Sequence, residues 1–325
     1  MTRMKKKLVF IGTALIFVFV ATLIIIFFFQ PNSYRSNNDY SSKITYSPVI
    51  KRLSDDVNSD WGLSAIKIKN IKKSVNSSNS VIIAVIDTGV NLKSSRILKG
   101  YNAINNSNIA FDDNGHGTNI SSIILKVSPK AYILPIKVIG KSGEQNPKTL
   151  AKAIEWATDN GANVINISLG MPNENIDVER EISNAIKKNI IVVSSAGNSS
   201  NDMLSFPAKM NSVISVVARD INNVDVGFSN RAIKKSFSAP GVHIKTVDNR
   251  FVSGTSYAAA FVTGVVSIIK SIDINIKLVT MVEILKETSM DGNYFSYGLI
   301  QADKAITELK KYWIKVKILV TGNFL

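Results

Sequence analysis

The chain of 325 residues contains no cysteine. A disulfide framework, a zinc-thiolate site, a cysteine nucleophile and lipid attachment through cysteine are therefore excluded. Imidazole is almost as scarce, since His116 and His243 are the only two histidines. Acids are in deficit, with 24 Asp and Glu against 39 Lys and Arg, a net charge of +15. Such a balance admits nucleic acid, an anionic membrane or an acidic substrate as partner. The cations are dispersed, however, with only small clusters at 3–7, 67–73 and 310–317, and no basic helix or aromatic-interleaved stripe. No nucleic-acid partner is expected, and the charge reads as general surface character. Internal repeats and low-complexity stretches are also missing. With 45% hydrophobic and 19% charged residues, what is left is the composition of a globular fold.

One long apolar run is present. Residues 1–7 carry Arg3, Lys5, Lys6 and Lys7 without an acid, and no charge follows from Leu8 to Phe29. A helix over 8–29 spans roughly 33 Å, enough to cross a bilayer. The run exceeds the apolar region of about 7–15 residues in a cleavable signal, and FFFQPNSY offers no small-x-small cleavage site. The expectation is a basic cytoplasmic tail (1–7), a retained transmembrane signal anchor (8–29) and a linker or vestigial propeptide (30–60). The domain 61–325 would then lie on the extracellular side of the cell membrane.

From Trp61 onward, short β-branched runs alternate with helical patterns. VIIAVIDTGV (81–90), AYILPIKVIG (131–140), NVINISLG (163–170), IIVVSSAGN (190–198) and SVISVVA (212–218) read as buried strands. Helices are predicted over 147–161 and 177–189, and KKYWIKVKILVTGNFL (310–325) reads as an edge strand, with Ile314, Val316 and Ile318 alternating with lysines. Continuous apolar strands alternating with helices imply an α/β fold with a mainly parallel sheet covered on both faces. Loops at the carboxyl ends of such strands line the functional cleft, which is where Asp87, Ser168 and Asn198 fall.

Three local patterns carry candidate chemistry, and each alone has an ordinary explanation. Asp87 ends an apolar run in IDTGV and could be a turn aspartate. His116 sits between two glycines in DDNGHGTNISSI and could be a surface residue at a helix start. Ser256 in GTSYAAAFVTG could be part of an N-cap before an Ala-rich helix. Together, in the order Asp, His, Ser, they match one of the chain orders in which a single hydrolytic geometry recurs. A fourth element, SSAGNSS with Asn198, adds an amide at a strand end.

On these motifs residues 61–307 resemble the catalytic domain of the subtilases, the subtilisin-like serine proteases. VIIAVIDTGV is similar to the family's aspartate motif, GHGT (115–118) to its histidine motif, GTSYAAA (254–260) to its serine motif and SAGN (195–198) to its oxyanion asparagine. DWGLSAIKIKN (60–70), IEWATDNGANVINISLG (154–170), FSAPG (237–241) and GLIQADKAI (298–306) resemble further landmarks. The resemblance implies a three-layer subtilisin-like fold and a triad of Asp87, His116 and Ser256, with Asn198 in the oxyanion hole. It implies a peptide or protein substrate lying extended between Ser142-Gly143-Glu144 and Ser168-Leu169-Gly170. Asp202, in a short 198–206 loop, could favour Lys or Arg before the scissile bond, or be a solvated loop acid. No cofactor and no metal are expected, because NISSIIL joins VSPKAYI through Lys126 where many bacterial subtilisins insert a calcium loop.

The function expected is a serine endopeptidase acting through an acyl-enzyme, suited to processing exported peptides or proteins such as lantibiotic leaders. The alternative is a catalytically silent subtilase-like binding or scaffold module at the membrane.

Overall fold

The computed structural model describes residues 61–71, 79–141, 143–233 and 235–321; the expected anchor and linker lie outside the described residues. The elements in chain order are α1 (Trp61–Ala65), β1 (Ile82–Asp87), β2 (Tyr101–Asn102), α2 (His116–Val127), β3 (Tyr132–Lys137), α3 (Pro147–Asp159), β4 (Val164–Ile167), α4 (Ile176–Lys187) and β5 (Ile191–Ser195). β6 (Ile214–Arg219), β7 (Ser236–Pro240), β8 (Ile244–Lys245), β9 (Phe251–Val252), α5 (Thr255–Ile272), α6 (Leu278–Thr288), β10 (Ser296–Leu299) and α7 (Ala302–Thr321) follow.

Eight strands form one sheet in the order β10-β7-β6-β5-β4-β1-β3-β2, every neighbouring pair parallel. The apolar runs explain this arrangement. Ile83, Ala84, Val85 and Ile86 of β1 are all fully buried, as a strand covered on both faces requires. Side chains alternate between faces, so Ile83 and Val85 join a core with α2, α5, α6 and α7, whereas Ala84 and Ile86 join one with α3 and α4. Each isoleucine buried in this way contributes about 1.5–3 kcal/mol. The five strands read from the sequence are β1, β3, β4, β5 and β6.

Helix starts follow from local chemistry. Asn146 caps α3 by accepting from Lys148 N at 2.9 Å with Pro147 at the first position, and Asn175 caps α4 through Asp177 N and Val178 N. α5 is long and apolar enough to cross a membrane, yet 94% of that window is buried inside the protein, so it is a core helix. Gly264 on α5 admits Val127 of α2, whose Cβ lies 2.5 Å from where a glycine-replacing Cβ would stand.

The segment expected as an edge strand is helical instead, since α7 runs unbroken to Thr321. Ala302, Ala305, Ile306 and Leu309 form a buried stripe at helical spacing. That docked stripe nucleates a helix, and propagation costs far less than nucleation. The isoleucine–lysine alternation spans too few residues to oppose it.

The strand order places β1 between β4 and β3: the chain runs from β1 outward to β2 on one side, and from β3 back past β1 to β4 on the other. Crevices at the carboxyl ends of strands open where the order reverses in this way.

Candidate active site

Asp87 is the last residue of β1 and is 1% exposed. His116 opens α2, and its Nδ1 lies 2.8 Å from Asp87 Oδ1 and 3.0 Å from Oδ2. Two glycines permit this approach. Gly89 has φ +102°, and a Cβ there would stand 2.5 Å from the Ala110 carbonyl oxygen. A Cβ on Gly117 would stand 2.2 Å from the Gly89 carbonyl oxygen and 3.1 Å from Asp87 Cβ. Gly117 of GHGT thus lets that motif close on the IDTGV turn, while Gly89 lets the turn pack against Ala110 and Phe111.

Burial alone would push the His116 imidazole down. The charge and hydrogen bond of Asp87, joined by the charge of Asp112, outweigh it and hold His116 above its ordinary value. On the other side the ring of Tyr257 lies 5.6 Å away. Burial and the Asp87 charge push that phenol up to about 12, so it stays neutral.

Ser256 is the second residue of α5 and is 8% exposed. Its backbone N–H belongs to the first helical turn, where donors have no intrahelical acceptor and the helix dipole is positive. The Ser256 hydroxyl donates to the Ser168 carbonyl at 3.0 Å, rather than to the imidazole. Ser168 is itself fixed from below: Thr263 Oγ1 donates to Asn166 Oδ1, and Asn166 Nδ2 donates to Ser168 Oγ, both at 2.8 Å.

Asn198 lies three residues beyond the end of β5, and its carboxamide oxygen accepts twice from Thr255. The Thr255 N–H bonds at 2.9 Å and the Thr255 hydroxyl at 2.8 Å. With the oxygen engaged, the Asn198 amide N–H groups remain for a ligand. Ser168 and Leu169 are buried and Gly170 is partly exposed. Gly143 and Glu144 are exposed beyond the end of β3, two strands from β4 on the same edge; Ser142 lies outside the described residues. Asp202 is 82% exposed at its side chain and pairs with Arg231 Nε at 2.9 Å, a solvated loop acid. His243, immediately before β8, stacks on Phe251 of β9 with ring centroids 4.4 Å apart.

Several contributors were not singled out in the sequence. Asp112 accepts at 2.8 Å from Thr88 Oγ1 and from the N-terminus of α2. Lys137, 6% exposed, donates to the Thr88 carbonyl at 2.8 Å and to Asp113 at 2.7 Å. Asn230 holds the 197–201 loop by accepting from Ser199 N and Asn201 N and donating to Ser205 Oγ. Ser205 sits where a Cβ on either Gly170 or Gly197 would fall. A polar residue placed between two apolar runs signals a loop equally well, so these offered no distinguishing pattern. Among the described residues no group of three or more His, Asp or Glu could hold a metal ion. The α2–β3 connection supplies Ser128, Pro129 and Lys130, a poor calcium ligand set.

A carboxylate-oriented imidazole, a hydroxyl at a helix start and a pinned carboxamide meet at one sheet edge of an α/β scaffold, the groups that a serine hydrolase needs. The chain belongs to the subtilase family, whose description matches residues 78–304. M-protease of Shouchella clausii (strain KSM-K16) is 29% identical over 262 residues, covering 75% of this chain and 69% of that one. Subtilisin Savinase of Lederbergia lenta is 29% identical over 262 residues, covering 75% of this chain and 97% of its own. Among solved structures, a lanthipeptide protease superposes with a TM-score of 0.69 at 22% identity, over 77% of this chain and 94% of its own. The prenylagaramide maturation protease PagA gives 0.65 at 23% identity, over 74% and 98%. The protein is a subtilisin-like serine endopeptidase, a hydrolase acting on peptide or protein substrates.

Proposed function

We propose that Ser256 is the nucleophile, His116 the general base and then general acid, and Asp87 the group that fixes the His116 tautomer. The observation that carries this is the Asp87–His116 bond of 2.8 Å set beside the α5 N-terminus that bears Ser256. The Ser256 hydroxyl leaves the Ser168 carbonyl and gives its proton to His116 Nε2 as Oγ attacks the scissile carbonyl. Apo sites commonly tighten in this way once substrate is bound. The tetrahedral oxyanion then accepts from the Asn198 amide and the Ser256 backbone N–H. His116 returns the proton to the leaving amine, and water attacks the acyl-enzyme by the same relay. Substrate lies extended along Ser168-Leu169-Gly170 and Ser142-Gly143-Glu144, recognised through its main chain before its side chains.

The enzyme is tethered to the outer face of the cell membrane by residues 8–29 and processes exported precursors. The uncharged run of the N-terminal segment supports the tether. The named roles of the two structural neighbours, a lanthipeptide protease and a maturation protease, support processing.

Fluorophosphonate labelling of the full chain beside Ser256→Ala tests the chemistry: labelling lost in the variant is expected. A folded chain that is not labelled would favour a silent module. Indifference to every exported precursor, with cleavage of denatured casein alone, would refute the processing role. Fractionation of the chain away from membranes would refute the tether.

A further inference from the structure

We propose that Asp112 is a positioning residue for His116, tying the turn that carries Asp87 to the helix start that carries the imidazole. It is 6% exposed and uses both carboxylate oxygens. Oδ1 accepts from Thr88 Oγ1 at 2.8 Å, Gly115 N at 2.8 Å and Asn114 N at 3.0 Å. Oδ2 accepts from Thr118 N at 2.9 Å and Thr118 Oγ1 at 2.5 Å. Thr88, which donates to Asp112 and follows Asp87 directly, also accepts from Gly117 N at 2.9 Å. Every residue from Asn114 to Thr118 except His116 is thus bound to Asp112 or to Thr88, while the His116 N–H takes Asn114 Oδ1 at 3.2 Å. His116 is the one side chain in this clasp turned to Asp87.

The arrangement stays ionised. Burial would raise the Asp112 carboxyl, but hydrogen bonds from Thr118, Gly115 and Asn114 outweigh it and hold it below its ordinary value. A carboxylate also suits the positive end of α2. The groups facing His116 are Asp87 from β1, Asp112 from the loop before α2 and neutral Tyr257 from α5. Asp112 therefore acts on His116 in two separable ways, by geometry through Thr88 and the α2 amides, and by charge. The role rests on His116 being the proposed base, and the test keeps the two ideas apart.

The full chain carries only two histidines, so their ring nitrogens can be titrated directly by NMR. His116 starts above the ordinary value and His243, lowered by burial, starts below it, which separates the two signals. Asp112→Asn keeps the shape and removes the charge, so the His116 midpoint and the acid limb of kcat/KM should both move to lower pH. Turnover should fall roughly tenfold, because a misplacement of about 1 Å can cost up to 10²-fold. Thr88→Val cuts the clasp but leaves the charge: kcat should fall with the acid limb in place. A folded Asp112→Asn whose midpoint and turnover match the parent would overturn the proposal, as would a lower melting temperature as its sole effect. Should Asp112→Asn fail to fold, Thr88→Val decides, and unchanged kcat there refutes the clasp. If the parent is not labelled by fluorophosphonate, the base assignment fails, yet the NMR midpoint still reports whether Asp112 governs the imidazole.

Discussion

Thr255 holds Asn198 by the oxygen, and removing one of its two bonds should loosen the proposed oxyanion donor without touching it. In Thr255→Val the backbone N–H still donates to Asn198 Oδ1 at 2.9 Å, but the hydroxyl bond of 2.8 Å is lost. The same hydroxyl also accepts from Gly197 N at 3.2 Å, so the loop before Asn198 loses an anchor. A neutral hydrogen bond contributes about 0.5–1.5 kcal/mol net. If that loss falls on the amide orientation, kcat drops by roughly 2–12-fold, since every 1.36 kcal/mol is tenfold. Asn198→Ala removes the donor itself and should cost on the order of 10²–10³ in kcat, the measured precedent being the corresponding loss in a subtilisin. Neither change should raise KM much, because the oxyanion exists only beyond the ground state. Thr255→Ser, which keeps the hydroxyl, should retain most of the turnover. The decisive arm is the double variant, assayed by steady-state hydrolysis of one peptide substrate. Thr255 acts through Asn198, so Thr255→Val in an Asn198→Ala background should cost little further. Additive losses, or full kcat in Thr255→Val, would show that the pinned carboxamide does not stabilise the transition state.

Four other outcomes follow from the geometry. His116 is held above its ordinary value and must be neutral to accept a proton, so kcat/KM should fall with decreasing pH through a midpoint above about 6.5; Asp87→Asn should lower kcat by about 10⁴, as in trypsin-like triads, and an effect under tenfold would remove Asp87 from the relay. The buried Lys270 amine donates to the Asn189 and Ile274 carbonyls, and burial lowers it to about 8. The unfolded chain then binds more protons between pH 8 and the ordinary lysine value near 10.5, so unfolding free energy measured in urea should rise over that window by a few kcal/mol, and Lys270→Met should flatten the rise. Gly264→Ala would set a Cβ 2.5 Å from Val127 Cβ and force α2 from α5, with an expected loss of about 1–3 kcal/mol; a melting temperature within a degree of the parent would contradict the packing.

Asp87, His116, Asn198 and Ser256 stood out as candidates because each stands at a boundary between an apolar run and a helix or turn, with a glycine one or two residues away. The apolar runs of β1, β3, β4, β5 and β6 were legible for a related reason: burial on both faces leaves no polar alternation to obscure them. Short strands such as β2, β8 and β9 have two residues each and carry no period to read. Residues 310–321 show the opposite failure, a local alternation that suggested a strand and was overruled by the docked stripe of α7.

Composition and motif order alone determined that this chain holds no thiol and just two imidazoles, and that Asp87, His116 and Ser256 come in that order within a parallel α/β pattern. Those facts are local, since residue type and one-dimensional spacing carry them. Tertiary structure alone decided that Asp112 clasps the His116 helix to Thr88, that Thr255 turns the Asn198 amide outward, that Asn230 fastens the 197–201 loop and that Asp202 faces Arg231 in solvent. These pairs lie 24 to 57 residues apart, or across loops, and polar partners have no periodicity. Only the fold, by bringing strand ends and helix starts to one edge of the sheet, selects which donor meets which acceptor.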